Sequence, residues 1–157
     1  RDIDGWQVAV QGGSLDTFES QLTFGSRFDS GIELLVSGSH YKSEGMENFE
    51  FTEPDFKIPE KQFGFVKGLD EESYSNLHAK ISLGKFSATA AYIDRKKQVP
   101  TASFGSVLNQ PNVTRDRRAT LGLSYEHWFS RGLELSVQGK FNRYIFKRES
   151  FYDRINE

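Results

Sequence analysis

Apolar and polar residues alternate along much of this chain. From Phe18 to Phe28 the even positions are mostly apolar and the odd positions are polar, and the alternation resumes at Ile32 after a turn signal at residues 29–31. A period of two residues is that of a β-strand with one apolar and one polar face. No window keeps an apolar period of 3.6 residues, so the sequence predicts an all-β fold. The alternating stretches are residues 6–11, 18–28, 32–40, 77–83, 86–92, 119–126 and 133–142.

The connections between the predicted strands differ in length in a regular way. Tight turns are expected at residues 29–31, 84–85 and 130–132, whereas residues 43–73 and 97–114 form long connections. Strands joined by tight hairpins pair antiparallel, which predicts an up-and-down meander of about seven strands with its long loops at one end. Bacterial outer-membrane barrels combine short periplasmic turns with long extracellular loops. The pattern therefore favours a partial transmembrane β-barrel.

Alternation alone leaves open whether the apolar face meets lipid outside a barrel or a second sheet inside a sandwich. The longest predicted strands, residues 18–28 and 133–142, have ten residues or more and exceed the about five or six that are typical of soluble proteins, which favours the barrel. Aromatic residues near strand ends would suit membrane interfaces. These residues are Trp6, Trp128, Phe129, Tyr144 and Phe146. The expected lipid-facing residues are Phe24, Leu34, Val36, Leu77, Ile81, Leu83, Leu121, Leu123, Leu135 and Val137.

Composition narrows the possible functions. Aromatic residues make up 14% of the chain and suit the pleated surface of a sheet. The net charge of -2 comes without a long basic block, which argues against nucleic acid as a partner. The absence of cysteine excludes disulfides and thiolate metal sites. No stretch approaches the roughly 20 apolar residues of a spanning helix, whereas a barrel strand needs only about 9–11 alternating residues.

Two segments resemble TonB-dependent outer-membrane receptors. The run GIELLVSGSHYKSEG at Gly31–Gly45 looks like an early barrel hairpin of this family, in which a glycine-started strand ends in a polar, glycine-containing loop. The run KQVPTASFGSVLNQP at Lys97–Pro111 is similar to an extracellular loop found in a subset of these receptors. With the strand pattern at Leu77–Tyr92 and the strand entry at Arg115–Arg118, the likeness spans most of the chain.

The resemblance implies a function and a place in a larger protein. Receptors of this family are outer-membrane barrels of about 22 strands with a plugged lumen, and they import scarce ligands such as iron–siderophore complexes, cobalamin or sugars using energy from TonB. The chain begins at Arg1 without an initiator Met or a signal peptide, and it looks cut out of a longer protein. Because the plug has no counterpart here, the resemblance places residues 1–157 just after it, as the N-terminal portion of such a barrel. Its expected partners are outer-membrane lipid, the rest of the barrel, the plug domain and an unidentified small ligand. Contact with TonB would be made through an N-terminal part outside these residues.

Few residues are candidates for ligand binding or chemistry. Aromatic side chains in the loop over residues 43–73 could line a ligand vestibule, but packing of the loop against itself or an irregular hairpin is the simpler explanation. His40, His78 and His127 lie in different strands without metal-ligand spacing, and no nucleophile motif indicates an enzyme. We therefore expect no catalytic residue, no metal and no cofactor. The loop candidates are Phe49, Phe51, Phe56, Phe63 and Phe65, and the charges expected to face a water-filled lumen are Glu19, Arg27, Glu33, Lys80, Arg118, Glu126, Glu134 and Lys140.

Two other functions stay open at this point. A small self-contained barrel, porin-like or structural, would need eight strands, which is one more than the pattern provides. A soluble β-sandwich binding module would fold cooperatively in water without detergent. An isolated part of a large barrel would instead expose two strand edges and an unshielded apolar face, and it should aggregate.

Overall fold

The computed structural model describes residues 3–51, 64–101, 103–130 and 132–152. Within these residues the chain forms nine β-strands and one 3-10 turn at Ser103–Gly105, which confirms the all-β prediction. This described part contains no helix long and apolar enough to cross a membrane. The strands are β1 (Gly5–Gly13), β2 (Thr17–Arg27), β3 (Ile32–Ser43), β4 (Asn48–Phe51), β5 (Gly64–Lys67), β6 (Glu72–Leu83), β7 (Phe86–Gln98), β8 (Val113–Ser130) and β9 (Leu133–Glu149).

Seven of these strands form one antiparallel sheet in the order β1-β2-β3-β6-β7-β8-β9. Every neighbouring pair is antiparallel, which confirms the predicted up-and-down meander. The sheet is open, because within the described ranges β1 pairs only with β2 and β9 only with β8. Each outer strand therefore has one edge of backbone N–H and C=O groups that a further strand could pair with.

The turns at one end of the sheet are short, as predicted. Gly31 has a φ of 82°, and its N–H donates a hydrogen bond to the Phe28 carbonyl at 2.8 Å. Gly84 supplies a φ of 55° in the β6–β7 turn. Glycine suits both positions because it has no Cβ to clash at positive φ. The β1–β2 turn at residues 14–16 lies at the other end, which we call the loop end, together with the two long connections.

The long connection between β3 and β6 contains a hairpin of its own. Strands β4 and β5 pair as a separate two-stranded sheet in which Phe49 lies opposite Val66. The Val66 side chain is 1% exposed, and it is the one fully buried hydrophobic side chain of the described residues. The connection therefore forms an irregular hairpin, which is one of the arrangements expected for its phenylalanines.

The register gives the main sheet one apolar and one polar face. Residues directly opposite each other in an antiparallel pair point to the same side, so Val36, which lies opposite both Phe24 and Ala79, extends an apolar row across three strands. This face is uncovered: the Leu123 side chain is 59% exposed and that of Phe86 is 63% exposed. We call it the apolar belt. Its members include all ten residues predicted to share one face, namely Phe24, Leu34, Val36, Leu77, Ile81, Leu83, Leu121, Leu123, Leu135 and Val137, together with Trp6, Val8, Leu22, Phe86, Tyr92 and Phe141.

The apolar belt covers only part of the strand length. In β6 it runs from Leu77 to Leu83, six residues along the strand, which corresponds to about 20 Å. Beyond Tyr92, toward the loop end, the same side of the sheet carries charged residues that begin with Asp94. Strands β7, β8 and β9 therefore extend farther than the alternation predicted, because backbone pairing continues where both faces are polar.

Aromatic character near a strand end does not decide which face a residue occupies. Tyr144 lies opposite Arg118 and Phe146 opposite Asp116, all on the polar face. The Tyr144 hydroxyl donates a hydrogen bond to the Asp116 carboxylate, and the Arg118 guanidinium lies 5.6 Å from the Tyr144 ring centroid. These two aromatic side chains therefore do not share the apolar face, because their even positions in β9 belong to the polar side. Trp128 also lies on the polar face, whereas Trp6 and Phe129 lie on the apolar one.

We expect Gly25→Ala to destabilise the sheet. A Cβ at residue 25 would overlap the carbonyl oxygen of Ile3, a backbone atom that cannot rotate away. The free energy of unfolding should therefore fall by about 1–3 kcal/mol. Gly139→Ala is the matched control, since its Cβ would meet nothing within 4 Å. Urea unfolding followed by tryptophan fluorescence measures both variants, and equal stabilities would contradict the close approach of residue 3 to β2.

Candidate functional site

Small polar side chains form hydrogen-bonded pairs across the polar face. The Ser37 hydroxyl lies 2.8 Å from the Thr23 hydroxyl and accepts a hydrogen bond from Gln21 Nε2 at 3.2 Å. The hydroxyls of Ser87 in β7 and Ser124 in β8 are 2.6 Å apart. These side chains make the surface hydrophilic, and they form hydrogen bonds with one another across neighbouring strands. All eight charged residues predicted for a lumen lie on this face: Glu19, Arg27, Glu33, Lys80, Arg118, Glu126, Glu134 and Lys140.

A pair of stacked tyrosines lies near the loop end of the polar face. Tyr41 of β3 and Tyr74 of β6 are directly opposite, with ring centroids 4.6 Å apart and ring planes 8° from parallel. Next to them Arg95 Nε donates a hydrogen bond to Glu72 Oε1 at 2.6 Å. A flat aromatic surface beside an ion pair suits ligand recognition. Sequence reasoning looked for ligand-binding aromatic residues only inside the loops, although the odd position of Tyr41 after Ser37 was enough to place it on the polar face.

The connections at the loop end are packed onto one another. Asn112, which is 3% exposed, donates through Nδ2 to the carbonyls of Val107 and Gln110 at 3.3 Å. Its Oδ1 accepts the Phe151 N–H at 3.3 Å, which ties the segment after β9 to the β7–β8 connection. Asn109 Nδ2 donates to the Phe65 carbonyl at 3.2 Å and joins this connection to the β4–β5 hairpin. The segments at the loop end therefore contact one another through the side-chain amides of Asn109 and Asn112.

An aspartate anchors the β3–β6 connection to the main sheet. Asp70 Oδ1 accepts a hydrogen bond from Lys97 Nζ at 2.5 Å, and its Oδ2 accepts the Met46 N–H at 3.0 Å. Both charged side chains are at least three-quarters buried. The same carboxylate therefore links the start of the connection, the residues just before β6, and β7.

The predicted ligand candidates do not form one surface. Phe49 lies opposite Val66 and is half-buried, whereas Phe65 lies opposite Glu50 and is 59% exposed. Successive residues of a strand point to opposite sides, so Phe49 and Phe65 face different sides of the hairpin. Phe56 and Phe63 lie outside the described residues, as does the side chain of Phe51.

A small polar cavity lies where β3, β6 and β7 reach the loop end. Its volume is about 60 Å³, which suits one or two water molecules and is far below the size of an organic ligand. Gln98 Nε2 donates to Glu71 Oε2 at 3.3 Å inside it. The Gln98 Oε1 atom is buried without a hydrogen-bond partner among the described residues, so a bound water is expected there.

Charged residues form a margin between the apolar belt and the loop end, on the belt side of the sheet. Asp94 accepts two hydrogen bonds from Arg115, at 2.7 Å from Nε and 2.6 Å from Nη2, and a third from Arg117 Nε at 3.1 Å. These hydrogen bonds, and above all those from Arg115, hold the pKa of the Asp94 carboxyl below its usual value, against the opposing effect of burial. Sequence reasoning missed this margin, although extending the even-numbered positions beyond Tyr92 would have found it.

The three histidines stay apart. His40 Nδ1 lies 2.9 Å from the Ser75 hydroxyl, and His127 Nε2 lies 3.3 Å from Lys85 Nζ, both on the belt side. His78 lies opposite Ser37 on the polar face. No three His, Cys, Asp or Glu residues in the described part of the chain are grouped so that they could hold a metal ion.

We expect Asp94→Asn to lower the stability of the loop-end half of the sheet. The variant removes the charge that Arg115 and Arg117 share, and solvent-screened pairs of this kind contribute about 0.5–1 kcal/mol. Because folding lowers the Asp94 pKa, its contribution is fully present above the usual value of 3.8 and is lost as the pH falls through the folded value. Urea unfolding at neutral and acidic pH measures this, with Glu134→Gln on the polar face as the control. A difference between Asp94→Asn and the parent that persists at the lowest pH would contradict the charge mechanism.

Comparison with known proteins adds no assignment for these surfaces. No protein-family model, curated protein or solved structure matches this chain. A functional proposal for the chain therefore depends on its two faces, its loop end and the charged margin between them.

Proposed function

We propose that this chain forms part of the wall of a bacterial outer-membrane β-barrel of the TonB-dependent receptor type. In this role it takes part in the uptake of a scarce ligand, such as an iron–siderophore complex. One observation carries the proposal: an uncovered apolar belt runs across all seven strands of the sheet, opposite a polar, hydrogen-bonded face.

The apolar belt has the character of a surface that contacts lipid. Large contiguous apolar patches on soluble monomers are rare and mark interaction surfaces. Here large side chains such as those of Trp6, Leu123 and Phe141 are all more than half exposed. The belt height of about 20 Å is close to the apolar band of about 25 Å in outer-membrane barrels. Lipid acyl chains would cover these side chains, while the sheet satisfies the backbone hydrogen bonds internally.

The polar face and the loops support the rest of the proposal. In a barrel wall the face opposite the lipid lines the interior, where water, a plug or a passing ligand would meet the paired hydroxyls and mixed charges. The two long connections at one end match extracellular loops, and the short turns between β2 and β3 and between β6 and β7 match periplasmic ones. The open edges of β1 and β9 suit pairing with further strands of a larger barrel of about 22 strands. The ligand would be recognised from the loop end, where Tyr41 and Tyr74 stack beside the entrance.

We expect Val137→Arg to be costly in lipid but not in water. Val137 lies in the middle of the apolar run of β9, and an arginine near the bilayer midplane costs about 2–4 kcal/mol. Gln138→Arg places the same charge one residue away on the polar face and should cost much less. Urea unfolding of both variants in lipid vesicles measures the difference. If Val137→Arg is as stable in vesicles as Gln138→Arg, the belt does not contact lipid.

The intact mass of the native protein distinguishes the receptor from the smaller alternatives. An antibody against residues 43–73 is used to detect the protein in fractions of the source cell. A receptor predicts a band in the outer-membrane fraction at several times the 17.9 kDa of this chain. A band near 17.9 kDa in that fraction would favour the small self-contained barrel. Absence from the membrane fraction would contradict both and favour a soluble β-sandwich binding module.

A further inference from the structure

We propose that the charged margin of β7, β8 and β9 binds the anionic headgroup of a membrane lipid, with an acyl chain of that lipid lying against the apolar belt below. This inference rests on the proposed membrane location of the sheet and names a specific lipid partner for it. The cations concerned, which we call the basic patch, are Lys96, Arg115, Arg117, Arg143 and Lys147.

Like charges lie side by side in the basic patch. The register places Lys96 opposite Arg115 and Arg115 opposite Lys147, so three cations form one row across three neighbouring strands. Side chains in such positions are within interaction distance, and like charges directly opposite each other are destabilising. An anion bound over this row would relieve the repulsion, and guanidinium groups are well suited to phosphate because they can donate two parallel hydrogen bonds.

Asp94 is the one carboxylate of the described residues that forms an ion pair with the basic patch, although Glu71 lines the small polar cavity together with Lys96, and Glu149 follows Lys147 on the same side of β9. Asp94 is already shared between Arg115 and Arg117. Among the described residues no carboxylate lies within 4.0 Å of the charged nitrogens of Lys96, Arg143 or Lys147, and all three residues are exposed. These three cations therefore lie on the belt side of the sheet without a partner in the described chain.

An apolar groove lies on the same strands, nearer the short turns. Its volume is about 390 Å³, and almost all of the surface that lines it is apolar. The groove is present because Ala88 and Gly139, which lie opposite Leu123 on the two neighbouring strands, carry little or no side chain beside larger residues such as Phe86. From Ala88 to the level of Asp94 is six residues along β7, or about 20 Å.

Charge complementarity selects the occupant. The patch is cationic, the surface directly below it is apolar, and both are on one side of three neighbouring strands. A molecule that fits both parts has an anionic head and a long hydrocarbon chain, which is the chemistry of an acidic membrane lipid. A free phosphate ion would use only the patch, and a neutral lipid would use only the groove.

Lipid retention by the full chain tests this inference. The chain is inserted into phosphatidylcholine vesicles that contain phosphatidylglycerol and is then extracted with mild detergent, and the two bound lipids are quantified by mass spectrometry. We expect the phosphatidylglycerol fraction in the extract to exceed that of the vesicles several-fold. The variant Lys96→Gln/Arg143→Gln/Lys147→Gln should return the ratio to that of the vesicles.

A matched control separates local from overall charge. Lys80→Gln/Arg118→Gln/Lys140→Gln makes the same change in charge on the polar face and should retain phosphatidylglycerol like the parent. An equal loss in the control variant or no enrichment by the inserted parent would each overturn the inference. Insertion into pure phosphatidylcholine vesicles is measured separately, and a chain that stays in the aqueous phase would overturn the proposed membrane location and this inference with it.

Discussion

The pairing register of the seven strands is the constraint on which the other features of this protein depend. Each strand has a period of two, so a slip of one residue between β2 and β3 would move Val36 from the apolar side to the polar side. Val36 instead lies opposite both Phe24 and Ala79, and the other pairings preserve the same alignment. The apolar belt, the polar face and the charged margin are each continuous across neighbouring strands for this reason.

Burial of side chains contributes little to the main sheet as it stands. Its large apolar residues are on an open face, and the fully buried hydrophobic residue of the described chain, Val66, belongs to the β4–β5 hairpin. Interstrand hydrogen bonds hold the sheet together, and a lipid environment would strengthen their role because it offers no competing water. The stability of this sheet would therefore depend on what covers the apolar belt.

Polarity changes along the strands as well as across the sheet. On the belt side β7 passes from the alanines and Tyr92 to Asp94 and Lys96 within a few residues. A boundary of this kind is expected where a strand leaves a hydrocarbon layer for its headgroup region, and it gives the proposed lipid site both of its parts. On the polar face, Arg95 of β7 and the stacked tyrosines of β3 and β6 lie next to the anchored loops, where the proposed ligand would make its first contact.

The sequence by itself determined the seven strands of the main sheet, their antiparallel order and the face of each residue inside the alternating stretches, because a period of two is a local property that needs no distant contact. It did not reveal how far the strands continue, since Asp94 to Lys97 are charged on both faces and give no alternation. Only the tertiary structure decided that Asp94 binds Arg115 and Arg117, that Asp70 anchors a connection to Lys97, and that Phe49 and Phe65 face opposite sides. These contacts join residues more than ten positions apart. Cross-strand register and loop packing bring such residues together, and the pattern of polar and apolar positions along the chain does not encode either.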